Sequence, residues 1–204
     1  MPNTPNKIKY GLSNVHYAVA EIAADGSATY ETPVRIPGAV SISLESLGEV
    51  TAEYADDIDY AELNGVVGYD GDLEVEIVPD SFNKDVFGDQ EDANGVQYED
   101  GDAPVVHFAL LYEFAGDKHK TRRVLYNCTA KRPAEGSSTK GETIEPQHES
   151  FSIKARTVYN ASVGKNIPKA KTNQGDSQYA NWYQAVYQPT ATAATSGTSG
   201  TSGT

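Results

Sequence analysis

The chain has 204 residues, room for one domain or at most two small ones, and enough to bury a real core. Apolar residues make up 38% of it, low for a globular protein but too many for a disordered one, and 29 acidic against 16 basic residues give a formal charge of −13. That balance argues against a protein that grips nucleic acid over a broad surface, which needs clustered Lys and Arg; a single cysteine, Cys128, rules out an intramolecular disulfide framework and any zinc site built from several thiolates.

Residues 1–7 read as an extended N-terminal arm, with no apolar core that a secretory signal would need. Val15, Tyr17 and Val19 alternate with His16, Ala18 and Ala20, a strand pattern. Asp25-Gly26 is a turn signal ahead of Ala28-Thr29-Tyr30, and Pro33 and Pro37-Gly38 bracket a short Val34–Ile36 segment. Val40–Glu45 and Asp72–Ile77 are period-two strands, each with one polar face, and Asn64-Gly65 marks a turn between them. The spacing of Phe82, Val86 and Phe87 predicts one short helix over Pro79–Gly88, capped by Asp80 or Ser81 and stopped by Gly88.

Glu91–Pro104 reads as an acidic loop, and Val105–Phe114 and Thr121–Ala130 as two strong strands joined by a hairpin. Lys131–Gln147 is a long polar loop, Phe151, Ile153 and Ala155 mark another strand, and the low-complexity stretch 191–204, in which Thr195-Ser196-Gly197 repeats to the end, reads as a flexible tail. The longest mostly apolar run, Val105–Phe114, is about half the length of a membrane helix, so the chain reads as soluble, and its lone cysteine suits a reducing compartment. Eight or so short strands with one helix predict a mainly β fold: an antiparallel β-sandwich or barrel with one short flanking helix, occupying residues 8–190.

Charge is distributed unevenly. Between Glu45 and Asp102 the chain holds 19 acidic residues and one basic residue, Lys84, a segment charge of −18; between Ala103 and Lys171 basic residues outnumber acidic ones 12 to 6. No catalytic constellation accompanies this pattern. The four histidines, His16, His107, His119 and His148, lack the spacing of a helical metal pair. His107, in an apolar strand, reads as a satisfied structural histidine, and Cys128 as a buried thiol. Gln90–Gly101 approaches a calcium-loop pattern through Asp92, Asn94 and Gly95, but Gln90 and Gly101 occupy the positions of the two strongest ligands. No metal, cofactor or enzymatic activity is expected. The aromatic cluster Tyr179, Trp182, Tyr183 and Tyr187 has two readings of equal weight, a segment covering the core or a dock for a neighbouring subunit.

The run Asn14–Val19, followed by Pro33–Leu44, resembles the opening of phage major tail proteins of the phi13 type. Glu53–Tyr60 and then Asn64–Val75 are similar to the loop and strand that follow in that family, and the helix ending at Gly88 fits the same order; the likeness runs from about Lys7 to Tyr187. The resemblance implies a structural virion protein. Such proteins form hexameric rings stacked into the tube of a long tail, with inner sheets closing into a continuous barrel across subunits, a flanking helix and a long loop reaching the next ring. It implies a homo-oligomer that meets other tail proteins, lets DNA pass without holding it, is made in the bacterial host cytoplasm, and has no membrane partner.

On that premise the polar faces are expected to line the channel: Ser41, Ser43 and Glu45 with Asp72, Glu74 and Glu76, opposite the apolar Val40, Ile42, Leu44, Leu73, Val75 and Ile77. Carboxylates there repel phosphate and offer it few cationic anchors. The Ser46–Leu63 stretch is the expected inter-ring loop, with Glu49, Glu53, Tyr54, Asp56, Asp57, Asp59, Tyr60 and Glu62. Its expected basic counterpart on another subunit is Lys118, Lys120, Arg122, Arg123, Lys131 and Arg132. The rival readings are a decoration or adhesin-like β-domain on the virion surface and, remotely, a carboxylate-based glycosidase.

Overall fold

A computed structural model describes residues 10–48, 50–55, 58–64, 68–136 and 147–191, with backbone only over 50–64. The arm at 1–7, most of the polar loop (137–146) and the tail from 192 to 204 lie outside the described residues. The strands are β1 (Leu12–Ile22), β2 (Ala28–Tyr30), β3 (Val34–Arg35), β4 (Ala39–Leu47), β5 (Val50–Ala55), β6 (Ile58–Asn64) and β7 (Gly68–Val75). After the helix α1 (Asp80–Asp85) come β8 (Gln90–Glu91), β9 (Gln97–Tyr98), β10 (His107–Phe114), β11 (Arg122–Ala130), β12 (Glu149–Arg156), β13 (Val158–Asn160), β14 (Lys165–Ile167) and β15 (Lys169–Thr172).

One nine-stranded antiparallel sheet dominates, in the order β2-β1-β10-β11-β12-β7-β4, with β15 beside β11 and β3 beside β1. Among the described residues the expected mainly antiparallel β architecture with a single short helix is what forms, and the sheet does not close into a barrel. Instead it folds over itself. Val15, Tyr17, Phe108, Leu110 and Leu125 from β1, β10 and β11 share one apolar cluster with Leu73, Val75, Phe151 and Ile153 from β7 and β12, and Ile42 and Leu44 of β4 pack against it. The two halves of the sheet therefore form two layers around a common core, as in a sandwich.

The helix closes that core. Phe82, fully buried, meets the rings of Tyr17, Phe87, Phe108 and Phe151 at centroid distances of 5.0, 5.3, 5.6 and 5.2 Å, edge-on or tilted as aromatic quadrupoles favour. Its cap differs from expectation. Pro79 holds the N-cap position without a side-chain bond, as a fixed φ near −65° suits a helix start, and Glu149 instead accepts a hydrogen bond from the Val78 N–H at 2.6 Å. Gly88 adopts φ 79° just after the helix, the expected stop.

β1 and β10 are buried on both faces, so β10 reads as a continuous apolar run. Their second face, with Ala18, Ala109, Leu111, Val124 and Tyr126, is covered by the chain from Tyr179 to Tyr187. Trp182 is 1% exposed there; its indole donates to Arg123 O at 3.5 Å, and the Tyr126 hydroxyl donates to Tyr187 O at 2.8 Å. The aromatic segment thus covers the core.

Two glycines let β7 lie between two strands. A Cβ on Gly71 would stand 1.8 Å from Ser43 O in β4, and one on Gly68 1.9 Å from Ala155 O in β12. Beyond Leu47 and Gly68, where the β4–β7 ladder ends, β5 and β6 pair antiparallel with each other. The Ser46–Leu63 stretch, expected as a loop, is thus largely two paired strands that follow β4 and precede β7 in the chain.

Candidate functional site

The outer face of the β4–β7–β12 layer is bare and polar. Period-two alternation puts Leu73, Val75, Phe151, Ile153 and Ala155 in the core and turns Asp70, Asp72, Glu74, Ser150, Ser152, Lys154 and Arg156 the other way. Ser41, Ser43 and Glu45 of β4 join them: the cross-strand rows are Ser41–Glu74–Ser150, Ser43–Asp72–Ser152 and Glu45–Asp70–Lys154. Ser41 donates to Glu74 and Ser152 to Asp72, each at 2.8 Å. Five of the six side chains expected on this face are therefore together on one paired surface. Glu76 follows the end of β7, its N–H bonded to Gly38 O at 2.8 Å and its carboxylate 3.4 Å from His148.

The apolar side of that expectation needs two corrections. Val40 is 38% exposed and Ile77 70% exposed. A register shift between Ala39 and Ser41 in the β4–β7 pairing turns Val40 outward. Ile77 lies beyond the last residue of β7, where the chain bends to bury Val78 instead.

Sequence reasoning missed Asp70, Ser150, Ser152, Lys154 and Arg156. The signal was available in the polar half of the alternation whose apolar half, Phe151, Ile153 and Ala155, marks β12. Lys154 and Arg156 make the face graded: they stand at the end next to the β5–β6 hairpin, beside Glu45 and Asp70, whereas the rows of Asp72 and Glu74 toward α1 contain no cation.

Of the expected inter-ring residues, Glu53, Tyr54, Asp59, Tyr60 and Glu62 belong to β5 and β6, and Glu49, Asp56 and Asp57 lie outside the described residues. The six expected basic partners divide. Arg122 pairs with Glu113 at 3.0 Å and covers the Tyr179 ring at 3.8 Å. Arg123 lies 3.7 Å from Asp117 and 4.9 Å from the Phe114 ring centroid. Arg132 pairs with Asp89, reaches Glu99 at 3.5 Å and donates to Phe87 O at 2.8 Å. These three arginines hold their own chain together. Lys118, Lys120 and Lys131 are exposed; the first two sit in the β10–β11 turn at the hairpin end, and Lys131 follows β11 at the α1 end.

The remaining candidates are structural. His107 Nδ1 lies 2.7 Å from Asn127 Oδ1. Burial pushes the Cys128 thiol well above its ordinary range, so it stays protonated and unreactive. Asp92 accepts from the N–H groups of Val96 and Asn94 at 2.9 and 2.8 Å, and together with the Asn94 side chain these hold its carboxyl below its usual range; it organises the β8–β9 turn. Among the described residues no group of His, Cys, Asp and Glu is placed to hold a metal, and no helix is long and apolar enough to cross a membrane.

The family model described as "Phage tail tube protein" matches residues 4–187. No curated protein sequence matches the chain. Among solved structures, a chain in "Cryo-EM structure of the anti-feeding prophage (AFP) baseplate, 6-fold symmetrised" is similar, with 11% identity, 83% of this chain and 97% of that chain covered, and a TM-score of 0.39.

Proposed function

The chain belongs to the phage tail tube protein family, a structural component of the virion tail, and on that premise we propose that it is the major subunit of a phi13-type tail tube, built of stacked hexameric rings around a DNA channel. The observation that supports this reading most is the bare polar face of β4, β7 and β12, a solvated surface backed by a rigid two-layer core. In the proposed ring this face lines the lumen. Ser41, Ser43, Glu45, Asp70, Asp72 and Glu74 present hydroxyls and carboxylates to DNA, with Glu76 at the rim. Phosphate is repelled by the carboxylates and, among the described residues of this face, finds Lys154 and Arg156 alone to bind, so DNA slides.

The opposite layer, β1, β10 and β11 under its aromatic cover, then forms the outer wall. The β5–β6 hairpin and its flanks, Glu49 to Glu62, reach another subunit, where Lys131 is the exposed cation available to meet those carboxylates. The subunit is made in the host cytoplasm and joins other tail proteins as the tail grows. Electron microscopy of the concentrated purified protein tests the assembly directly. Hexameric rings and tubes are the expected result; a monodisperse monomer or trimer at every concentration and salt condition overturns the reading in favour of a surface decoration domain.

A further inference from the structure

Two local surfaces at opposite ends of the sandwich carry opposite and matching chemistry. At one end the β10–β11 turn displays Lys118 and Lys120. Asp117 folds back under the turn, accepting the His119 N–H at 2.9 Å, and Lys120 takes a left-handed φ of 46°, so both lysines stand on a braced tip. Tyr10 completes it. Its ring lies against Gly116, where even a Cβ would come within 2.3 Å, and the residue is 65% exposed despite backbone bonds that tie it to the turn.

At the other end a groove of about 480 Å³ runs between α1 and the segment after β11. Ile77, 70% exposed, lies at its mouth, and Asp80, Glu135 and Glu149 line it, with Glu76 in the adjoining hollow. Among the described residues that line it the one arginine, Arg132, is already held by Asp89 and Glu99, so these residues keep an excess of negative charge around an exposed aliphatic side chain. A tip that carries an exposed aromatic ring and two ammonium groups is the occupant this chemistry selects.

We propose that the two ends bind each other between copies of this chain: Tyr10, Lys118 and Lys120 of one copy seat on Ile77, Glu76, Asp80 and Glu135 of the next. The tip and the groove lie at opposite ends of the strands, so no copy can use both against the same neighbour. The contact is heterologous and leaves a free tip and a free groove at every stage, which gives open-ended stacking rather than a closed dimer. It rests on the tube reading above and names the surfaces that join one ring to the next.

Two full-length variants, Lys118→Glu with Lys120→Glu and Glu76→Lys with Glu135→Lys, test it beside the wild-type chain. All the altered side chains are exposed, and unchanged circular dichroism melts confirm that each variant folds. The expected result is that each variant alone forms single rings but loses tubes in electron micrographs. Mixing the two restores tubes, since each reversed surface then meets a reversed partner. Tubes of wild-type length from either variant alone, or no restoration on mixing, overturn the proposed contact while leaving the tube reading standing. A wild-type chain that never forms tubes overturns the tube reading and this contact with it.

Discussion

Arg122 and Glu113 form an ion pair at 3.0 Å whose side chains are only 18% and 15% exposed. The pair is the fastening of the C-terminal cover: Arg122 also donates to Tyr179 O and lies over the rings of Tyr179 and Tyr183, at 3.8 and 4.8 Å. Removing one member strands the other charge in a low-dielectric site. Arg122→Ala is expected to cost about 3 kcal/mol and to free the Tyr179–Tyr187 segment. Limited proteolysis checks this: cleavage after Tyr179 or Tyr183 becomes fast in the variant while the rest of the chain stays resistant.

Trp182 is the apolar anchor of the same segment, 1% exposed and stacked on Tyr187 with ring centroids 5.8 Å apart. Trp182→Ala empties a large site against Ala109, Leu111 and Val124 and is expected to cost about 3–5 kcal/mol. In a chain of this size that is a fall in Tm on the order of 10 °C. Because Trp182 is the sole tryptophan, its fluorescence in the wild type reports the release of this cover directly. A red shift that precedes the loss of far-ultraviolet dichroism marks local opening.

The centre of the fold was readable from periodicity. Alternation at Val15–Val19, the apolar run through Leu110 and Leu111, and Phe82, Val86 and Phe87 at helical spacing each mark a segment whose burial decides its own conformation. What periodicity could not show depends on pairing between distant residues. The register shift that exposes Val40 belongs to the β4–β7 ladder, not to β4 alone. The partners of Arg122, Arg123 and Arg132 lie across turns or on other elements, so a count of basic residues could not separate arginines that hold the fold from lysines that face outward. The short strands β13, β14 and β15 have too few residues for a pattern. The two readings of the Trp182 segment use the same amphipathic aromatics, and only the apolar face of β1, β10 and β11 beneath it favours covering over docking.

Gly71 makes a sharp test of the layer that carries the polar face. With 1.8 Å between a Cβ and Ser43 O, Gly71→Ala must push β4 away from β7. The ladder from Ser41–Glu74 to Leu47–Gly68 then loses its middle. The expected outcome is a loss of several kcal/mol, about that of a large core deletion, with fast amide exchange along β4 and slow exchange retained in β10. An alanine variant with wild-type exchange in β4 would show that the two strands are not packed as closely as described.

Asp117 links the turn bearing Lys118 and Lys120 to pH. Burial alone raises its pKa, but hydrogen bonds from Thr121 and the His119 N–H, with Arg123 nearby, outweigh it and hold the carboxyl below its ordinary value. A carboxyl whose folded pKa is depressed contributes stability above its unfolded pKa of about 3.9 and loses it as pH falls through the folded value. In that window the unfolded chain binds more protons, so stability drops as acid is added. Thermal melts from about pH 5 to about pH 2 should show this decline. Asp117→Asn should start lower at neutral pH and fall less steeply over the same range.

The polar face predicts what happens when its sign is reversed. Asp72 and Glu74 accept only exposed serine hydroxyls, from Ser152 and Ser41, so replacing both with lysine should change stability by less than about 1 kcal/mol. The effect should fall on DNA instead. In the proposed ring of six, two lysines per subunit would turn a lumen that repels phosphate into one that binds it, and phosphate contacts of this kind weaken steeply with salt. Assembled tubes of Asp72→Lys with Glu74→Lys are therefore expected to retain single-stranded or short duplex DNA at low salt and to release it as salt rises, whereas wild-type tubes retain none. A particle carrying the variant should eject its genome slowly. If variant tubes bind no more DNA than wild-type tubes, the β4–β7–β12 face does not line the channel and the layer under Trp182 becomes the candidate for the inner wall.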